Sequence, residues 1–76
     1  MKQAFTAVFT RESDGYTVTV PALPGLVTSG RTIEEAKAMA LEAIACHLES
    51  LRKDGESIPA EIEVGVERLE VELAAS

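Results

Sequence analysis

Tryptophan is absent from this chain, and Phe5, Phe9 and Tyr16 are its only aromatic residues. A core must therefore be built from Val, Leu, Ile and Ala, which the 46% apolar content allows. A single cysteine, Cys46, excludes an intrachain disulfide and a cysteine-based metal cluster. Basic residues are few: seven against thirteen acidic ones, for a formal charge of −6. They form no stripe, and an acidic surface repels phosphate backbones, so direct nucleic-acid binding by the chain alone is not expected. A basic protein partner fits this balance, and plain solubility fits it equally well. No stretch has the length of a membrane span, and the start lacks the apolar run of a signal peptide, which predicts a cytoplasmic protein without membrane contact. Internal repeats and low-complexity segments are also missing. So is a phosphate-binding loop, because Gly25 and Gly30 do not precede a helix at the required spacing.

What remains is a 76-residue chain read as one domain, 1–76. A chain of this size buries only about 60% of its unfolded surface, so association would add needed stability. Residues 3–10 alternate apolar and polar with β-favouring types and predict a strand. Gly15 closes a turn at Glu12-Ser13-Asp14, and Tyr16, Val18 and Val20 alternate through a second, antiparallel strand over 16–20. These three side chains are expected to share a face with Phe5 and Phe9. Pro21 and Pro24 rule out a paired central strand, and Gly25 permits a sharp return. A short third strand follows at 26–29, then a turn at Gly30.

A helix is predicted over 33–53. Ile33, Ala36, Ala40, Leu41, Ile44, Leu48 and Leu51 trace an apolar stripe. Thr32 and Glu35 are spaced as a capping box, and Gly55 stops the helix. From Glu61 the period returns to two: Ile62, Val64 and Val66 on even numbers, then Leu69, Val71 and Leu73 on odd ones. This predicts a final strand over 61–73, with a bulge near Glu67-Arg68 to restore the apolar face. The expected fold is thus α+β, ordered β-β-β-α-β, with a mostly antiparallel sheet and one long helix packed on one face.

Little in this pattern carries chemistry. Cys46 and His47 are adjacent on the helix and diverge by roughly 100°, which argues against a nucleophile–base pair. The first three strands hold no interior carboxylates that could converge on metal ions. Glu34 and Glu35 suit a helix start. Glu61, Glu63, Glu70 and Glu72 read as a solvated face. No catalytic residue, cofactor or metal ligand is assigned, and the chain is read as a non-enzyme. Two surfaces stand out instead. The bend at Pro21, Leu23 and Pro24 is a candidate partner contact, with ordinary turn chemistry as the alternative. Leu69, Val71 and Leu73 are a candidate oligomer interface, because an uncovered apolar strand favours association.

Gly15-Tyr16, Val18, Val20-Pro21, Leu23-Pro24-Gly25, Thr28, Gly30, Thr32 and Glu34-Glu35-Ala36, followed by Gly55 and Ile58-Pro59, resemble the N-terminal domain of HicB-type antitoxins. The match runs from Phe5 to Pro59 and leaves Arg68 to Leu73 beyond what that domain needs. The resemblance implies a truncated ribonuclease H-like fold. It also implies a protein that neutralises a small messenger-RNA-degrading toxin, here a basic HicA-like ribonuclease, within a prokaryotic toxin–antitoxin system. Leu26 stands where many members have Cys, which excludes a thiol role there. Many members add a DNA-binding module, for which a chain ending at Ser76 is expected to have no room. The composition and final strand add the expectation of a homo-oligomer, dimer or tetramer. The competing readings are a self-assembling stand-alone domain with an unrelated binding role and, more weakly, a nuclease remnant.

Overall fold

The computed structural model describes residues 2–74. Met1, Ala75 and Ser76, the ends of the expected 1–76 domain, lie outside the described residues. Four elements follow one another: β1 (Val8–Glu12), β2 (Gly15–Thr19), β3 (Val27–Gly30) and α1 (Ile33–Lys53). The strands form one antiparallel sheet in the order β1-β2-β3. Phe9 stands opposite Val18, and Val18 opposite Thr28. Directly opposed residues share a face, so Phe9, Tyr16 and Val18 meet the helix together, as their alternation predicts. Val18, Ala36 and Ala40 form the buried centre, with Ala7, Phe9 and Tyr16 packed around it. The only helix residues in that centre are alanines, whose short side chains let α1 lie close to the sheet.

The bend between β2 and β3 is a second small core. Val20, Ala22 and Leu23 are buried. The Leu23 amide donates to the Val20 carbonyl at 2.9 Å and the Leu26 amide to the Leu23 carbonyl at 3.1 Å, so two tight turns follow in succession. Gly30 then brings β3 against the helix: a Cβ there would land on the Ala36 backbone.

Helix α1 has the predicted bounds because both ends are capped. Thr32 is extended, and its hydroxyl accepts from the Glu35 amide at 3.1 Å. Glu34 and Glu35 occupy the first turn, with Arg52 and Lys53 in the last, each complementing the helix dipole. At the far end Glu56 N–H donates to the Leu51 carbonyl and Gly55 N–H to the Arg52 carbonyl, a Schellman closure.

Three expectations need correction. First, β1 begins at Val8 and not at residue 3, because the five residues of β2 reach only as far as Val8 in the antiparallel register. Residues 3–7 keep the strand pattern without a paired strand. Likewise β3 begins at Val27, since Leu26 is held in the preceding turn. Second, the strand expected over 61–73 is not formed. Residues 56–74 carry no helix or strand, and the bulge expected at Glu67-Arg68 has no ladder to interrupt. Third, the apolar stripe of α1 is only partly covered. The helix lies over β2 and β3 and its backbone does not approach β1. Leu41 is 66% exposed, while Ile44, Leu48 and Leu51 are half-buried.

Candidate interaction surfaces

Around the bend, the three residues singled out from sequence have three different fates. Leu23 is 1% exposed, so it supports the bend from beneath and has no surface to offer a partner. Pro21 is half-buried and Pro24 exposed. Pro24, Gly25 and Leu26 form one wall of a shallow, mainly apolar groove whose other wall is α1, through Ala43, Cys46, His47 and Ser50. Cys46 and His47 both reach this groove, although they diverge on the helix. The helix contribution was missed in the sequence, where Ala43 and His47 are an i, i+4 pair on a face with no large apolar residue to mark it.

The second surface is the trailing segment. Ile62 is 46% exposed, Val66 87%, Leu69 79%, Val71 77% and Leu73 86%, far from the burial their alternation suggests. The segment is moored to the body at one point. The Glu61 carboxylate accepts from the Thr6 hydroxyl at 2.7 Å and from the Thr6 amide, and its other oxygen accepts from the Ile62 amide at 3.0 Å. The Thr6 hydroxyl holds the Glu61 carboxyl below its usual value against opposing desolvation, and the Ile62 and Thr6 amides add smaller contributions in the same direction as the hydroxyl. Beyond Glu61, Ile62 and Val64 are still partly covered, with Val64 37% exposed, and the large apolar side chains from Val66 on stand mostly in solvent. Charge is concentrated here as well. Residues 61–74 hold five Glu and one Arg, a net −4, which leaves −2 for the rest of the chain's −6.

A third, polar cleft lies between the β1–β2 turn and the start of α1, lined by Glu12, Asp14, Tyr16, Arg31 and Glu35. Among the described residues, no three His, Cys, Asp or Glu side chains are placed to hold a metal ion. Nor is any helix among them long and apolar enough to cross a membrane.

A three-stranded antiparallel sheet under one capped helix, with apolar surface left open at the bend and along the trailing segment, defines a small α+β interaction domain. Comparison with known proteins makes the class specific. The model of the HicB_like antitoxin of bacterial toxin–antitoxin systems matches residues 5–74, and the chain belongs to this family. A UPF0150 protein of Thermoplasma acidophilum is 48% identical over 56 residues, 72% of this chain and 81% of the relative. An uncharacterised 14.9 kDa protein of Haemophilus phage HP1 is 45% identical over 47 residues, 62% of this chain and 35% of the relative. Antitoxin HicB 1 of Photorhabdus laumondii is 38% identical over 65 residues, 86% of this chain and 42% of the relative. The chain thus spans about two fifths of the length of the two longer relatives. No solved structure matches it. The family match reaches residue 74, so the trailing segment is part of the family pattern and not an addition after Pro59.

Proposed function

We propose that this protein neutralises a basic, HicA-like, messenger-RNA-degrading toxin by protein–protein contact, without catalysis and without binding nucleic acid on its own. The family assignment supports an antitoxin role and points away from catalysis. The observation that carries the reading is the open apolar groove beside Pro24 on a chain of formal charge −6. The charge steers a basic partner, and the groove offers desolvated contact once it arrives. Pro24 stiffens that wall, which lowers the entropy lost on docking. The homo-oligomer, dimer or tetramer, belongs to the same proposal and is supported by the uncovered residues 62–73.

The test is co-expression with the product of the adjacent reading frame, followed by binding kinetics. Association should slow markedly between about 0.01 M and 1 M salt, as the Debye length shrinks from about 30 Å to 3 Å, while dissociation changes little. Pro24→Asp should speed dissociation at least tenfold with the fold intact by circular dichroism. If the wild-type chain neither binds that product nor relieves its toxicity, the antitoxin reading fails. Self-assembly without any such partner would favour the stand-alone binding domain, which the uncovered trailing segment also supports.

A further inference from the structure

His47, the single histidine of the chain, stands half-buried in the helix wall of the groove, with Pro24, Gly25 and Leu26 forming the other wall. Its surroundings hold no charge. From Thr17 to Gly30, a stretch that includes the whole bend and β3, the chain has no titratable side chain. One turn away on α1 are Ala43, Ile44, Ser50 and Leu51, and none of these titrates either. Glu42 and Glu49 are rotated about 140–160° from His47 around the helix and do not line the groove. Asp54 shares the side of His47 but lies two turns on, about 10 Å along the axis. Cys46 is the only other titratable residue in the lining. Among the described residues the imidazole makes no hydrogen bond or ion pair. The groove thus holds one side chain of the type that changes charge between pH 5 and 8, with no carboxylate in the lining to balance it.

A basic partner seated in the groove covers this ring. Covered and neutral, the imidazole is one more flat, largely apolar part of the wall. Covered and charged, it is a cation without a counter-ion, facing a partner of the same sign. Docking therefore excludes a proton. The complex holds fewer protons than the free chain, so affinity is full above the range in which imidazoles titrate and is lost as pH falls through it.

We infer that His47 makes the groove a pH-sensitive docking site, open to a basic partner while the imidazole is neutral and closed to it once protonated. This regulation rests on the antitoxin reading given above, whose contact it modifies.

Binding kinetics with the product of the adjacent reading frame should show dissociation about threefold to tenfold faster at pH 5.5 than at pH 7.5, with the helical circular dichroism unchanged between them. One excluded proton changes affinity by at most about tenfold per pH unit. His47→Gln cannot take up the charge and should give a flat profile, whatever its affinity. His47→Lys should dissociate fast at both pH values, and Cys46→Ser should keep the wild-type slope. Magnetic resonance of the wild-type ring, which needs no variant, should show His47 titrating at lower pH in the complex than in the free chain. A complex with a flat wild-type profile overturns this proposal while the antitoxin reading stands. So does a slope that survives in His47→Gln or vanishes in Cys46→Ser, or a ring whose titration the partner leaves unchanged. A chain that binds at no pH from 5.5 to 7.5 overturns both.

Discussion

Residues 8–53 and 61–73 are written in the same language and end in different states. Both stretches alternate valine and leucine with polar residues where strands are expected. In the first, Val18 lies between two strands and under a helix, with no exposed surface. In the second, Val71 has the same side chain and the same alternation, and 77% of it is in solvent. The difference is not in local propensity. A strand is defined by its neighbour, and β2 has one on each side whereas the trailing segment has none. Alternation records what a segment is able to bury, and the ladder is supplied, or not, from elsewhere.

The sharpest way to break the comparison is to make one substitution in both regions. Leu23→Ala removes a buried side chain from the bend and should cost about 2–5 kcal/mol, a large part of the stability of so small a domain. Leu69→Ala removes one that is 79% exposed, and in dilute protein should change stability by less than about 0.5 kcal/mol. Chemical denaturation of the two variants at low concentration measures both. Equal losses would mean that the trailing segment packs into the same cooperative unit as the bend.

A smaller effect is expected from Gly25→Val. Gly25 has φ 89°, a conformation strained for a β-branched residue, although a Cβ there would meet nothing within 4 Å. The loss should be about 1–3 kcal/mol, all of it from the backbone. Glu34→Ala, in the first turn of α1, should cost about 0.3–1 kcal/mol through the helix dipole. Thermal melts should therefore rank Gly25→Val below Glu34→Ala, and a reversed order would sink the assignment of strain to that turn.

The smallest effect belongs to the mooring at Glu61. Its carboxyl is held below the usual value by Thr6, so the contact is complete above the ordinary glutamate range, about pH 4.3, and is lost as pH falls through the depressed value. The Thr6 amide should then lose its partner and exchange faster, while amides of Val18 and Ala40 do not change. Nuclear magnetic resonance across this acid range separates the two. A Thr6 amide that titrates together with the core would show that the mooring is part of the fold itself.

Much of the packed half was legible in the sequence because its signals are local. Thr32 and Glu35 mark the start of α1, Asp54-Gly55 marks its end, and the helix spans Ile33–Lys53 as those residues predict. Gly15 and Gly25 have the positive φ that turns of this kind use. The candidate surfaces were less legible because their outcome is decided at a distance. Leu23 reads as an exposed bend residue until Val20 and Ala22 are seen buried beside it. The residues before Val8 read as strand until the short β2 leaves them unpaired. Leu41 belongs to the helical stripe by spacing, yet the helix is offset from β1, and Leu41 faces outward.

The exposed trailing segment also has a consequence for turnover. Proteases engage backbone that is extended and uncovered, and residues 62–74 meet that description in a single copy while the strands and helix do not. Covering the segment would remove the cleavage site by mass action, so survival of each molecule would rise with the concentration of whatever covers it. The half-life of this protein would then report whether anything covers residues 62–74, being shorter for the uncovered chain.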